Sequence, residues 1–300
     1  MSLPVLAIDI GGTKIAAALV DADGAVTERR QQATREDPEA ALLAVLEGLP
    51  HEGVCGVGVS CGGPMIWPEG FITPPNTPVW RDGYPLGDVL RERYAPHQVR
   101  IHNDVVALVV GEHWKGAAQG VDEALGMVVS TGVGGGIITG GRVIDGRTGN
   151  AGHVGHVVVE LDGPPCGCGG FGCLEAVARG PAVVARAVAR GSTARDGAEL
   201  ARHAAAGEPV AVSELARAGR ALGTGIASAA ALLDLELVVL GGGFSQAGPA
   251  LWDPMRAAMA EHARLGFLAG LQVVPTALGQ DSGLVGAAAF FHAADRYWVH

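Results

Sequence analysis

The sequence predicts an α/β protein built from two related halves, and three observations carry that expectation. A strand, glycine turn, strand pattern occurs twice. It runs as "VLAIDIGGTKIAAALVDADG" from residue 5 and as "ALGMVVSTGVGGGIITGGRVIDG" from residue 124, about 120 residues later. Short continuous apolar runs alternate with segments of helical periodicity, the pattern of strands buried beneath helices. At 300 residues the chain can bury one large core or two ordinary ones.

Taken in order, "PVLAIDI" at 4–10 is a nearly unbroken apolar run ending in Asp, a buried strand. "GGTKIAAALVDADGAV" supplies a glycine turn, a second strand and a tight "DADG" turn, hence a hairpin. "DPEAALLAVLEGLP" opens with a capping Asp and a Pro and keeps helical spacing. "GVCGVGVSCGGPM" is a buried strand running into a loop. The Pro-rich 67–85 is expected to hold no regular structure and, at that length, to be functional. "DVLRERYA" reads as a short helix, "VRIHND" as a strand and "VVALVVGEHWKGAA" as a helix. The pattern then restarts at 124. Helices rich in Ala and Arg follow from about 181 to 233, then a strand and glycine turn in "LELVVLGGGFS", then a long C-terminal helix within "LGQDSGLVGAAAFFHAADRYW". No low-complexity stretch separates the halves, so the expected boundary is a hinge rather than a tether.

Composition excludes several functions. A formal net charge of −10 argues against a nucleic-acid surface. No apolar run is long enough to span a bilayer, and "MSLPVLAIDIGG" has neither a basic leader nor a cleavage site, so neither membrane insertion nor export is expected. Five cysteines, three of them within eight residues, do not make a disulfide framework; a reducing cytoplasm fits all five. Cys55 and Cys61 read as free buried thiols, with a reactive role as the alternative.

The glycine turns carry a phosphate-binding logic. Gly11 and Gly12 let the backbone turn and present N–H groups, Thr13 adds a hydroxyl and Lys14 a cation. Asp9 at the strand end can hold Mg²⁺ through water. One such turn alone is usually only a hairpin. A second at Thr131, Gly132 and Gly134, and a third at Gly241 and Gly242, make three places where a nucleotide could touch backbone. Asp104, in "IHND" before a helix, is a carboxylate at a strand end, where open α/β sheets bind ligands; alone it would also serve as a helix cap.

The stretch "GHVGHVVVELDGPPCGCGGFGCLE" is the most specific. His156, Cys166, Cys168 and Cys173 offer one imidazole and three thiolates, the closed ligand set of a structural zinc. Gly167 lets both sulfurs of the C-x-C face one metal. The alternative is a metal-free, reduced loop.

On these residues the chain resembles the ROK family of sugar kinases and sugar-responsive repressors, within the actin–hexokinase ATPase superfamily. The resemblance covers "DIGGTKIAAALVD", "NTPVW", "ND", "STGVGGGI", the His–Cys stretch, "LGGGFS" and "DSGLVGAA". It implies two ribonuclease-H-like domains flanking a cleft. The expected division is a smaller domain at 1–115, joined by the C-terminal helix from about 284 to 300, and a larger one at 116–283 carrying the zinc loop. The implied reaction moves the ATP γ-phosphoryl group, with Mg²⁺, to a hexose hydroxyl. The resemblance makes Asp104 the base, and Asn76, Asn103, His156 and Glu175 sugar contacts, with His156 using one ring nitrogen on zinc and the other on the sugar.

The chain departs from the family at residue 153. Members usually carry Glu there, accepting from two sugar hydroxyls; this chain has His153, which offers one donor and one acceptor when neutral. His153 either fills the space and bonds one hydroxyl, or alters which hexose is preferred. "NDVVALVVGE" is also more apolar than its family counterpart, a packing change. The leading expectation is a glucokinase-like enzyme, with N-acetylmannosamine or N-acetylglucosamine as alternative substrates and a homodimer or dimer of dimers as the assembly. A sugar-sensing repressor would need a helix-turn-helix ahead of the first strand, which begins at residue 4. A non-catalytic sugar binder is disfavoured by Asp104, Gly11, Gly12 and Thr13.

Overall fold

The computed structural model describes residues 2–34, 37–74 and 77–298. It is divided into two compact units: Met1–Asp122 with Gly136–Gly152 and Thr276–His300, and Glu123–Gly135 with His153–Pro275.

Along the first part of the chain come β1 (Val5–Ile10), β2 (Lys14–Val20), β3 (Val26–Ala33), α1 (Pro38–Leu46), β4 (Gly56–Cys61), β5 (Met65–Ile66), β6 (Phe71–Ile72), α2 (Leu86–Tyr94), β7 (Val99–Asn103) and α3 (Asp104–Lys115). Then follow β8 (Ala124–Val129), β9 (Val133–Thr139), β10 (Arg142–Val143), α4 (Leu174–Ala178), α5 (Gly180–Ala189), α6 (Gly197–Ala205) and α7 (Pro209–Leu233). The chain ends with β11 (Leu237–Gly241), α8 (Pro249–His262), β12 (Gln272–Pro275), α9 (Ser282–His292) and α10 (Ala294–Tyr297).

Each of the two large sheets has five strands, in the orders β3-β2-β1-β4-β7 and β10-β9-β8-β11-β12. In each, an antiparallel hairpin leads into parallel partners: β1 pairs with β2 antiparallel and β4 parallel, and β8 pairs with β11 parallel. The repeated sequence pattern thus becomes a repeated topology. β1 and β4 are apolar except for Asp9 and Ser60 near their carboxyl ends because helices cover them, and Leu6, Ile8, Val57 and Val59 are fully buried. α9 lies against β1 and β4 and crosses α3 closely: a Cβ on Gly286 would sit 1.7 Å from the Ala107 carbonyl oxygen. Only glycine permits that approach. The apolar Val105, Val106, Val109 and Val110 of α3 are buried, as a packing role requires.

Several expectations need correction. The 67–85 stretch is not wholly irregular. Phe71–Ile72 pairs with Met65–Ile66 across the "WPEG" turn, Ile72 bridges to Tyr84, and Pro78–Trp80 forms one 3₁₀ turn. The C-terminal helix breaks at Ala293, giving α9 and α10. Cys61 is buried but Cys55 is exposed, contrary to the buried reading of both. Two capping assignments can be compared. Asp37 does cap α1, accepting from the Ala40 N–H at 2.9 Å, with Pro38 behind it. At α3 the cap is Asn103, and Asp104 is the first helical residue.

Candidate active site

In the first unit, the carboxyl ends of β1, β4 and β7 gather Asp9, Ser60, Asn103 and Asp104, because parallel register sets Asp9 opposite Ser60 and Cys61 opposite Asn103. Ser60 Oγ donates to Asp9 Oδ1 at 2.6 Å. Burial pushes the Asp9 carboxyl up, opposed by the Ser60 bond and by Lys14 and Arg29 and reinforced by Asp281. Asp104 is pushed up to about 6, first by burial and then by the charge of Asp9, against the pull of the Val105 N–H. That N–H lies 2.8 Å from Asp104 Oδ1 and 3.1 Å from Asn103 Oδ1, so the helix start holds both side chains at once. The result is a carboxylate that is a better base than usual yet largely ionised at neutral pH.

The first glycine turn closes with the Gly11 N–H on the Lys14 carbonyl at 2.9 Å, leaving Gly12 and Thr13 exposed at its tip. Lys14 Nζ donates to Gln280 Oε1 at 2.9 Å, and Arg29 pairs with Asp281 at 3.0 Å. The segment before α9 therefore braces this turn. It is held in turn by Glu112, fully buried, whose carboxylate accepts from the Ala277 and Leu278 N–H groups at 3.0 Å each and from Ser282 Oγ at 2.8 Å. Ser60 and Glu112 were not legible as site residues, since each is defined by a partner distant in sequence.

In the second unit, the turn after β8 closes through the Ser130 N–H on the Gly132 carbonyl at 2.9 Å, with Thr131, Gly132 and Gly134 partly exposed. Gly241 ends β11 and is buried; Gly242 follows with φ 90°, directly over the Val129 backbone. Glu175, in the first turn of α4, accepts from the Val133 N–H at 2.9 Å. Gly155 fits beneath, where a Cβ would lie 1.9 Å from the Val133 carbonyl oxygen. The turn, α4 and the 3₁₀ turn Val154–His156 are thus packed into one piece.

That piece carries the His–Cys cluster. The donor atoms of His156, Cys166, Cys168 and Cys173 lie within 4.8 Å of one another. Cys168 Sγ and Cys173 Sγ are 3.8 Å apart, and Cys166 Sγ and His156 Nδ1 are 3.7 Å apart. Zinc–sulfur bonds of about 2.3 Å in a tetrahedron require sulfurs roughly 3.8 Å apart, the spacing of Cys168 and Cys173, so the donor set suits a metal ion in chemistry and spacing. Because Nδ1 faces the sulfurs, the other ring nitrogen of His156, an exposed residue, points away from them. His153 stacks on His156 with ring centroids 6.3 Å apart and planes 18° from parallel, outside the donor set. Asn76 lies outside the described residues.

The model for "ROK family" matches residues 5–294. A glucokinase of Thermotoga maritima is 32% identical over 307 residues, covering 95% of this chain and 96% of the relative. An N-acetylmannosamine kinase of Vibrio cholerae is 39% identical over 252 residues, covering 81% and 84%. Among solved structures, a ROK family glucokinase from Streptomyces griseus in complex with glucose and AMPPNP superposes with a TM-score of 0.82 at 34% identity, covering 96% of this chain and 98% of the other. Sequence and fold agree along nearly the whole length, and the chain belongs to the ROK family.

Proposed function

We propose that the protein is an ATP-dependent sugar kinase that phosphorylates a hexose hydroxyl, with glucose as the leading substrate. The observation that carries this reading is Asp104: a carboxylate at a parallel-strand end and helix start, raised to about 6, in a chain aligned end to end with kinases of glucose. Asp104 accepts the proton of the attacking hydroxyl as the oxygen–phosphorus bond forms and the bond to ADP breaks; the proton ends on its carboxyl group. Asn103 beside it, with Asn76, His153, His156 and Glu175, is assigned to the sugar hydroxyls. The turns at Gly11–Lys14, Thr131–Gly134 and Gly241–Gly242 are assigned to the nucleotide, offering backbone N–H groups to its phosphates. Asp9 is assigned to the water shell of the Mg²⁺ that would accompany ATP and would neutralise phosphate charge.

The ion of the His–Cys cluster is zinc in this reading, and its work is structural: it fixes the loop that carries His156 and Cys173, whose neighbour Glu175 braces the second turn. N-acetylmannosamine is the second candidate substrate, supported by the 39% identity to the Vibrio kinase. The two proposed domains follow the sequence division at 1–115 with the C-terminal helix and 116–283. A homodimer or dimer of dimers in the cytoplasm completes the proposal, in keeping with five unpaired cysteines. An ATP-coupled assay across a sugar panel tests it. Turnover of glucose or an N-acetylhexosamine is expected, and absence of ADP formation with every sugar would overturn it.

A further inference from the structure

The proposed base needs a fixed position, and the first unit contains a buried arrangement behind it that the reaction as described does not use. His102, the residue before Asn103, is fully buried. Its Nδ1 accepts the Asn103 backbone N–H at 2.8 Å, so Nδ1 carries no proton and Nε2 is the donor of the neutral ring. Nε2 faces Asp145 Oδ1 at 2.8 Å. Trp67, Phe290 and Trp298 surround the ring, with centroids at 5.2, 5.9 and 6.3 Å, and shield the imidazole from water.

Asp145 belongs to a turn that is itself anchored twice. The Ala151 N–H donates to the Asp145 carbonyl at 3.0 Å, and the Asn150 side chain pairs with the Met65 backbone, accepting from its N–H at 3.2 Å and donating to its carbonyl at 3.0 Å. Met65 follows the loop after β4, where a Cβ on Gly63 would sit 2.3 Å from Asn103 Nδ2. The contacts therefore form a closed ring: Asn103 to His102, to Asp145, through the turn to Asn150 and Met65, and back past Gly63 to Asn103. Two tight turns and a strand end lock one another around the first residues of α3.

We propose that His102 and Asp145 are a positioning pair for the Asn103–Asp104 step, fixing the imidazole tautomer and thereby the strand-to-helix junction that aims the base. The pair touches neither sugar nor nucleotide and acts through the Asn103 amide. This inference rests on the reading of Asp104 as the base. Loss of aim of about 1 Å can cost about 10²-fold in rate while leaving nucleotide binding alone.

The test uses His102→Leu, His102→Asn, Asp145→Ala and the double variant His102→Asn/Asp145→Ala, with kcat, KM for ATP, and hydrogen exchange at the Asn103 amide by NMR. His102→Leu is expected to lower kcat by about 10²-fold with KM for ATP unchanged, and to expose the Asn103 amide to exchange. Asn at 102 keeps an acceptor near the Nδ1 position but cannot reach Asp145. His102→Asn and Asp145→Ala should therefore share a smaller loss of kcat with the amide still protected, and the double variant should be no worse than either. Should His102→Leu fail to fold, the Asn and Ala variants carry the test through that non-additivity. Wild-type kcat in a folded His102→Leu, lost kcat in His102→Leu without a change at its Asn103 amide, or fully additive losses in the double variant would each overturn the pair. Failure of the underlying reading shows separately, as turnover retained in Asp104→Asn, while amide exchange still reports on the pair.

Discussion

The two glycine turns share a backbone plan and differ in what surrounds them. The first sits among charges: Asp9 beneath it, Lys14 and Arg29 beside it, Asp104 close enough for the field of Asp9 to raise it. The second is preceded by Val128, Val129 and Ser130, and a carboxylate that reaches it, Glu175, is engaged by the Val133 N–H. One repeat is a charged site whose carboxyls are raised by their own burial, with the charge of Asp9 adding to the shift at Asp104. The other is a framework of N–H groups and hydroxyls packed beside the loop that carries the His–Cys cluster. Duplication supplies the turn, and the residues at the strand ends decide whether its surroundings are charged or are backbone N–H groups and hydroxyls.

Removing the charge from the first half tests that division most severely. Asp104→Asn should lower kcat by about 10²–10⁴-fold while sugar binding, followed by calorimetry, is largely kept. The same change should raise Tm at neutral pH. A carboxyl whose folded value lies near 6 rather than 3.8 costs stability once it ionises, and the cost grows as pH rises between those values. A lower Tm would mean that the ionised carboxylate is stabilising.

Disturbing the second half should act through structure instead. Purified protein is expected to hold about one zinc per chain by elemental analysis, following the ligand count of a closed site. Cys168→Ser should lower metal content, thermal stability and activity together, with activity down by about 10–100-fold. Active, freshly prepared protein free of metal would contradict the framework role.

How much of this was legible in the sequence follows from the range of each interaction. The hairpin repeats, the cap at Asp37 and the His–Cys cluster are written in local spacing and were readable. β3 was not, because "VTERRQQA" is an exposed edge strand whose charged residues suit solvent rather than a core. The β5–β6 hairpin was hidden by prolines that here sit in its turn and flanks. α8 and β12 lacked a clear signal: α8 contains Pro254 and buries only Leu251, Met255 and Ala258, and β12 has no fully buried residue. Asp104 was visible as a carboxylate before a helix, but its tuning by Asp9, 95 positions away in the chain, exists only in the fold.

The smallest expected effect sharpens the comparison inside the second half. His153 lies next to the His–Cys cluster but outside its donor set. A hydrogen bond to a charged group contributes roughly 1.5–3 kcal/mol, against about 0.5–1.5 for a neutral one. His153→Glu should therefore tighten KM for glucose several-fold, on the order of 1 kcal/mol, without changing zinc content. Loss of zinc in that variant, or unchanged KM across the sugar panel, would count against a sugar-facing His153.

The central claim, that the first half holds a half-buried base tuned by a second carboxylate, is tested most directly by the pH dependence of kcat in wild type and Asp9→Asn. The base must be ionised to accept the proton, so wild-type kcat should fall as pH drops through about 6. The charge of Asp9 raises Asp104, so its removal should move that acid limb to lower pH, whatever it does to the maximal rate. A wild-type profile flat from pH 8 to 5, or a limb that stays in place in Asp9→Asn, would contradict the account.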